Sequence, residues 1–310
     1  MVINIIITGI NGFVGTNFST SLSCESCITG IDLSRERLPE NILFYNWDEL
    51  IEVPTSYAII HLAGKAHYVH NTDDIKEYFD VNVGLTKEIF NFFLESEAEK
   101  FIFFSSVKAV ADSVNGNILT EDHFPDPQTP YGQSKLAAEQ YILEQKLPRE
   151  KKVYILRPCM IHGPGNKGNL NLLYNFVKKG IPYPLGAFNN LRSFTSIENL
   201  IFIIREILEK DIEPGIYHVA DDEPVSTNEI VKLISGSLNR KPHIWDVPKS
   251  VVNKIAKAGD LMRLPLNSER LKKLTESYVV SNSKLKSALG IDKMPVTATD
   301  GLKHTFSSFT

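Results

Sequence analysis

Tyr131 and Lys135 stand four positions apart in a stretch that is typical of a helix start. Pro130 directly precedes the tyrosine, and proline is favoured at the first helical position. Residues four apart share a helix face, so the ammonium is expected beside the phenol. A nearby positive charge favours the phenolate and lowers a pKa that is about 10 in model peptides. The pair predicts a proton-transferring tyrosine, although an ordinary amphipathic helix can carry both residues by chance.

A glycine loop near the N-terminus predicts phosphate binding. Gly9, Gly12 and Gly15 lie between a β-branched run at residues 2–8 and a predicted helix at residues 16–22. The first glycine allows a tight turn, the second lets the backbone approach a pyrophosphate, and the third lets helix and strand pack closely. The loop therefore predicts a dinucleotide cofactor at the N-terminus of the helix.

An acidic residue ends the second predicted strand, at residues 27–32. The Asp32 carboxylate can accept hydrogen bonds from ribose hydroxyls and repels a 2′-phosphate. NAD is therefore the predicted cofactor. Arg35 and Arg37 follow closely, so NADP stays an alternative.

Polar and small residues follow two further predicted strands. Leu62, Ala63 and Gly64 come after the strand at residues 57–61, and Ser105 and Ser106 come after the strand at residues 100–104. The carboxyl ends of parallel strands border the ligand crevice of an open sheet. We therefore expect the serines to face the same crevice as the tyrosine, which follows Ser106 by 25 residues.

The order of these elements predicts the fold class. Strands and helices alternate in the first half, and the second half is mixed, which predicts an α/β protein. We expect a doubly wound parallel (Rossmann) sheet with a smaller mixed α/β substrate lobe. Residues 1–160 are the predicted NAD(P)-binding domain, to which residues 190–220 return, and residues 161–310 are mainly the substrate-binding lobe.

Composition argues against several other classes of protein. A formal net charge of -4 disfavours nucleic-acid binding, and no apolar run approaches the ~18 residues of a membrane span. Three cysteines, Cys24, Cys27 and Cys159, make no disulfide framework, so a cytoplasmic location is expected. Acidic residues interrupt the basic stretch at residues 249–273, which favours a solvated surface over a membrane-facing one.

Three histidines, His61, His67 and His70, raise the alternative of a metal site. They straddle a strand end and a loop, with no supporting carboxylate at helical spacing. No bound metal is predicted.

Taken together, the motifs resemble the extended short-chain dehydrogenase/reductase family over nearly the whole chain. The resemblance rests on the glycine loop with Thr8, the acids Asp32 and Asp48, the turn at residues 61–64, the segment Asp80-Val-Asn82-Val-Gly-Leu-Thr86, the serine pair, and Tyr131-x-x-x-Lys135. Residues 157–165, 167–170, 184–186 and 190–194 are similar to the short UDP-sugar enzymes of surface-polysaccharide synthesis. These include C4 epimerases and reductases of 4-keto-6-deoxy-N-acetylhexoses.

Two departures argue against a strict galactose epimerase. The chain has Val107-Lys-Ala-Val-Ala111 where the family often has Val-Tyr-Gly after its serine pair. It has Met160 where galactose epimerases commonly have asparagine. Neither departure affects the serine, tyrosine and lysine set.

The resemblance implies a site, residue by residue. The implied catalytic residues are Ser106, Tyr131 and Lys135. The implied cofactor-binding residues are Gly9, Asn11, Gly12, Phe13, Val14, Gly15, Asp32, Asp48, Leu62, Ala63, Gly64, Asn82, Ser105, Tyr131, Lys135 and Pro158. The implied substrate-binding residues are Ser106, Tyr131, Asn169, Leu170 and Arg192, with Arg192 on a diphosphate oxygen.

The predicted function is NAD(P)-dependent hydride transfer at C4 of a UDP-sugar of the N-acetylhexosamine type, as a C4 epimerase or a 4-ketoreductase. Both reactions use the same groups. A dehydratase is an alternative, but such enzymes usually have a glutamate just after the hydroxyl position, where this chain has Val107 and Lys108. A non-catalytic dinucleotide sensor is another, although such proteins tend to lose the tyrosine or lysine. The resemblance also implies a homodimer formed through the helices after Asp74 and Tyr131.

Overall fold

A seven-stranded parallel sheet forms the centre of the molecule. The computed structural model describes residues 3–36, 38–66, 73–114, 118–166, 168–262 and 267–309. The sheet strands are β1 (Ile3–Thr8), β2 (Ser26–Ile31), β3 (Leu43–Tyr45), β4 (Ala58–His61), β5 (Lys100–Phe104), β7 (Lys152–Pro158) and β11 (Gly215–Val219). Their order is β11-β7-β5-β4-β1-β2-β3, and all neighbours are parallel. The predicted doubly wound sheet is confirmed.

Among the described residues, six short strands form three pairs outside this sheet. They are β6 (Ile118–Leu119), β8 (Met160–His162), β9 (Leu191–Arg192), β10 (Phe194–Ser196), β12 (Val225–Ser226) and β13 (Val279–Val280). Strand β8 pairs with β10, β9 with β12, and β6 with β13.

Helices cover both faces of the sheet and build the smaller lobe. They are α1 (Phe13–Leu22), α2 (Asp73–Phe79), α3 (Leu85–Glu95), α4 (Pro130–Glu144), α5 (Asn169–Lys178), α6 (Ile197–Glu209), α7 (Thr227–Ser237), α8 (Lys249–Met262), α9 (Ser268–Thr275), α10 (Ser283–Leu289) and α11 (Ala298–Ser307). In the part of the chain that is described, no helix combines the length and the apolar character needed to cross a membrane.

The continuous apolar run of β1 is explained by burial on both faces. Ile5 and Ile7 belong to the core under α1 and α6, whereas Ile6 belongs to the opposite core, under α3 and α4. Successive strand residues point to opposite faces, so a strand covered on both sides needs apolar residues at nearly every position. The same two cores hold α1 and α4 above the strands whose ends carry the site.

The second lobe has cores of its own. One packs α5, α7 and α11 together, and another packs α8 and α9 on Tyr183 and Leu185. Strand β11 lies at the edge of the large sheet, beside β7. The boundaries of the two domains stay a prediction.

The helix predicted after Asp74 differs in one respect. A π-helical turn at Asp80–Gly84 separates α2 from α3. Such a turn adds one residue to the helical repeat and is frequent at functional sites. Here it carries Asn82, which is fully buried.

Candidate active site

The start of α4 places Tyr131 beside the turn that follows Ser106. The Thr129 hydroxyl caps this helix by accepting a hydrogen bond of 3.3 Å from the Gly132 N–H. A Cβ on Gly132 would collide with the Lys108 carbonyl, so only glycine lets the helix approach the turn this closely. The tyrosine and serine predicted to be catalytic are thereby brought together.

Burial raises the pKa of the Tyr131 phenol above its ordinary value of 10.0. A hydrogen bond with the Ser106 side chain lowers this pKa, and the neighbouring Tyr78 raises it further. The two tyrosine rings meet edge to face, with their centroids 6.2 Å apart. At neutral pH the phenol is therefore protonated, and its O–H lies within reach of the serine.

The ammonium of Lys135 lies at the end of β5. Its Nζ donates a 2.8 Å hydrogen bond to the Phe104 carbonyl and lies 5.0 Å from the centre of the Phe103 ring. Burial lowers the pKa of this lysine to about 8, against a raising effect of Glu139. Burial of the phenol raises the pKa of Tyr131, and the lowering expected from Lys135 stays a prediction.

A buried ionic network lies beneath the catalytic helix. Arg157 donates to both oxygens of Glu139, from Nε at 2.9 Å and from Nη2 at 2.5 Å. Ser105 donates to the same carboxylate. The arginine and the glutamate side chains are 4% and 1% exposed, so this is a desolvated, bidentate pair. It joins the ends of β5 and β7 to α4.

The glycine loop has the close approaches that a dinucleotide site requires. Gly9 has φ of +69°, and a Cβ there would lie 2.7 Å from the Ala63 nitrogen. A Cβ on Gly15 would lie 2.5 Å from the Gly9 carbonyl oxygen. Helix α1 begins behind Gly12, which offers no side chain as a cap. Its first N–H groups can therefore bind a phosphate, so these residues fit NAD.

Main-chain hydrogen bonds orient Asp32 at the end of β2. Its carboxylate accepts from the Asn11 N–H at 2.9 Å and from the Leu33 N–H at 2.8 Å. Arg35 is exposed and donates to the Pro39 carbonyl at 3.4 Å. Arg37 lies outside the described residues. The carboxylate is therefore held beside the glycine loop, which suits a ribose diol.

Asn82 joins the turn after β4 to the catalytic helix. Its side-chain oxygen accepts from the Lys65 N–H at 2.7 Å, and its amide donates to the Lys65 carbonyl at 3.1 Å and to the Ser134 hydroxyl at 2.9 Å. Gly64 lies between these groups, since a Cβ there would be 2.9 Å from the Asn82 oxygen and 3.2 Å from Lys135 Nζ. The predicted cofactor turn and the predicted catalytic lysine are thus neighbours.

His61 is a buried, neutral histidine. Its Nδ1 shares a 2.6 Å hydrogen bond with the Thr8 hydroxyl, and its Nε2 shares a 3.0 Å bond with the Thr86 hydroxyl. Burial, followed by the charge of Lys135, holds its pKa well below the usual value. His67 and His70 lie outside the described residues. Within the described ranges, no three acidic, histidine or cysteine side chains cluster as a metal site would require.

The remaining predicted cofactor residues occupy different environments. Phe13 and Val14 open α1, and Leu62 follows β4 and packs on the sheet core. Pro158 is buried at the end of β7. Asp48 is exposed in the first turn of the 3₁₀ helix Trp47–Glu52. Their roles stay predictions.

The predicted substrate residues are dispersed. Asn169 is exposed at the start of α5, but the side chain of Leu170 is buried in the lobe core. Arg192 donates from Nε to the Glu276 carbonyl at 3.3 Å and from Nη2 to the Lys273 carbonyl. Burial lowers the pKa of its guanidinium. Two of its donors are thus used by the protein, and the others can bind a diphosphate.

Sequence reasoning missed a carboxylate that anchors the catalytic helix. Asp112 accepts from the main-chain N–H groups of Gln128 and Thr129 at 2.7 and 3.0 Å, and from the Thr129 hydroxyl at 2.9 Å. It also missed the Glu139–Arg157 pair. The only signal in the sequence was that Glu139 follows Lys135 by four residues, on the same helix face.

Comparisons with known proteins show what this chain is similar to. A model of the NAD dependent epimerase/dehydratase family matches residues 5–220. UDP-glucose 4-epimerase of Vibrio cholerae is 30% identical over 321 residues, which cover 99% of this chain and 95% of that protein. N-acetyl-alpha-D-glucosaminyl-diphospho-ditrans,octacis-undecaprenol 4-epimerase of Escherichia coli O157:H7 is 25% identical over 319 residues, which cover 97% of this chain and 94% of the relative.

The fold is also found among solved structures. The complex of Thermus thermophilus UDP-glucose 4-epimerase with NAD matches with a TM-score of 0.76 at 21% identity. The match covers 99% of this chain and 98% of that chain. At this identity the likeness shows the shared fold.

Proposed function

Because this chain belongs to the NAD dependent epimerase/dehydratase family, we propose that it is an enzyme that inverts C4 of a UDP-linked hexose. The observation that carries the proposal is the meeting of Ser106 and Tyr131 beside the turn at Gly64 and Lys135. A hydroxyl pair at this edge of the sheet can hold one sugar oxygen from two sides. The Vibrio and Escherichia relatives are both named 4-epimerases, which favours epimerase over reductase.

Each proposed catalytic residue has one task. Tyr131 removes the proton from the C4 hydroxyl and later returns it to the C4 oxygen, and Ser106 holds that oxygen in line with the phenol. Lys135 sits beside Gly64, where it would bind the ribose next to the nicotinamide. NAD, when bound, takes up and returns the C4 hydride, and its oxidised ring adds a positive charge that favours the phenolate. The glycine loop and Asp32 hold the cofactor at its other end.

We propose a UDP-linked hexose, of the N-acetylhexosamine type, as the substrate. The two relatives are named for UDP-glucose and for a diphosphate-linked N-acetylglucosamine. Both names describe a hexose on a diphosphate, which suits the guanidinium of Arg192. The hydrogen bonds from Asn11 and Leu33 hold the Asp32 carboxylate where it favours NAD over NADP.

The purified protein is to be incubated with UDP-N-acetylglucosamine and with UDP-glucose, without added cofactor, and the C4 epimers followed by proton NMR. An epimerase converts at least one substrate, because it regenerates its own NAD. A reductase leaves both unchanged and oxidises NADH or NADPH when given a UDP-4-keto-6-deoxy sugar. That second result would overturn the proposal.

We further propose a homodimer built through α2, α3 and α4, in the cytoplasm. Ile75 and Leu143 are 46% and 58% exposed on α2 and α4, where apolar side chains suit an interface. All three cysteines are free, as expected for a reducing compartment. Light scattering after size exclusion tests the dimer, and a monomer at micromolar concentration would contradict it.

A further inference from the structure

The turn after Ser106 carries a positively charged side chain, Lys108. Members of the family often have Val-Tyr-Gly in this segment. Its Nζ donates to the Asp112 carbonyl at 2.7 Å and lies 4.3 Å from the centre of the Tyr278 ring. The side chain is half-buried, and burial lowers the pKa of its ammonium. A lysine ammonium has three donors, and the Asp112 carbonyl takes one of them.

The carboxylate of Glu276 lies near Lys108 and can accept a further hydrogen bond. Oε1 of Glu276 is buried and has no hydrogen-bond partner among the residues that the structure describes. The charge of Glu276 acts on Lys108, yet the two side chains form no hydrogen bond through that oxygen within the described residues. A buried acceptor without a partner is unfavourable, so a ligand group that satisfies it is favoured.

Tyr278 lies against Lys108 and joins two segments of the proposed substrate site. Its hydroxyl donates to the Ala111 carbonyl at 2.7 Å, within the segment that follows Ser106. Its main-chain N–H donates to the Leu191 carbonyl at 2.7 Å, next to Arg192. Lys108 and Glu276 therefore lie near a tyrosine that joins the segment after Ser106 to the strand of Arg192.

We propose that Lys108 and Glu276 together bind a hydrogen-bonding substituent of the hexose ring. The substituent must offer a donor to the Glu276 carboxylate and an acceptor to the Lys108 ammonium. A ring hydroxyl and an acetamido group both do so. This inference rests on the proposed function, because it places the hexose between Ser106 and Arg192.

The competing role for Lys108 is neutralisation by Asp112. That carboxylate is already occupied by three donors from Gln128 and Thr129, and the lysine bonds to the carbonyl of Asp112 instead. The charge of Asp112 acts on Lys108, as that of Glu276 does, but the ammonium keeps two N–H donors for another acceptor.

Calorimetric titration of the NAD-loaded protein with UDP, UDP-glucose and UDP-N-acetylglucosamine tests the inference. Lys108→Met and Glu276→Gln should each weaken UDP-hexose binding by about tenfold or more, as expected for a hydrogen bond to a charged group, and leave UDP binding within about twofold. The double variant should lose less than the product of the single losses, because both side chains hold one substituent. If the variants lose affinity for both UDP-sugars, the bound substituent is a ring hydroxyl. If they lose affinity for UDP-N-acetylglucosamine alone, the bound substituent is the acetamido group.

An equal loss of affinity for UDP would indicate that Lys108 contacts the diphosphate, and this would overturn the inference. Unchanged binding of both UDP-sugars would overturn it as well. If the unmutated protein binds neither UDP-hexose, the proposed function falls as well. If it inverts C4 while both variants bind normally, the inference alone falls. Lys303→Met, an exposed lysine paired with Asp300 on α11, is the matched control. The near-isosteric Glu276→Gln preserves the test if Lys108→Met disturbs folding.

Discussion

Lys135 directs its ammonium to the Phe104 carbonyl, at 2.8 Å, whereas the phenol of Tyr131 has the Ser106 side chain as its hydrogen-bond partner. The helical spacing of the two residues is as predicted, but the lysine reaches across to the end of β5. It is thereby placed beside Gly64, at the cofactor side of the site. Its proposed role is to bind the ribose and to add positive charge there, while Ser106 is the direct partner of the phenol.

Tyr131→Phe should abolish turnover and retain NAD. The change removes only the hydroxyl that transfers the proton, and general acid–base help of this kind is typically worth about 10²–10⁴-fold. C4 epimerisation by NMR and bound NAD by absorbance check the two parts. Tyr141→Phe, which loses an exposed hydroxyl bonded to Asn91, is the control. Near-normal turnover in Tyr131→Phe would exclude the tyrosine as the proton-transferring group.

Lys135 should make the folded state more stable as pH rises through the range from about 8 to about 10.5. Its pKa is about 8 when folded and near the ordinary 10.5 when unfolded, because burial penalises the ammonium. In that window the unfolded chain binds more protons, so raising the pH favours the folded state.

Urea denaturation at pH 7.5, 8.5 and 9.5, for the unmutated protein and for Lys135→Met, measures this effect. The free energy of unfolding of the unmutated protein should increase relative to that of Lys135→Met as the pH rises. A constant difference would show that the lysine keeps an ordinary pKa when folded.

Glu139→Gln should destabilise the protein strongly. The carboxylate is buried and takes two hydrogen bonds from Arg157, so its removal leaves an uncompensated buried charge, which costs about 3–5 kcal/mol in comparable pairs. Chemical denaturation measures the loss. Glu269→Gln breaks an exposed pair with Lys273 and should change the midpoint little. Equal effects of the two variants would contradict a structural role for the buried network.

Gly15→Ala should weaken NAD binding far more than Gly84→Ala. A Cβ at Gly15 would lie 2.5 Å from the Gly9 carbonyl and 2.6 Å from the Ile10 Cα, so the phosphate loop must shift. At Gly84 a Cβ meets nothing within 4 Å. Calorimetric titration with NAD compares the two variants. Similar affinities would show that the loop tolerates the methyl group and is not held in the tight geometry that the structure shows.

Much of the architecture followed from local patterns. The apolar run of β1, the glycine loop, the acid after β2 and the serines after β5 identified the sheet and its ligand edge. The π-helical turn at Asp80–Gly84 was not predicted, because apolar periodicity continues through it from α2 into α3. Helices α5 and α11 were not predicted either, since their apolar faces pack within the smaller lobe and not on the main sheet.

The amino-acid sequence by itself determined which chemistry is available: a serine, a tyrosine and a lysine at strand and helix ends next to a phosphate loop. These motifs are local, because turns, caps and helix faces depend on neighbouring residues. Only the tertiary structure decided that Lys135 contacts Phe104, that Asp112 anchors the catalytic helix, and that Lys108 lies within reach of the charge of Glu276. Such contacts join residues far apart in the chain, and burial, which sets their pKa values, exists only after the chain has packed.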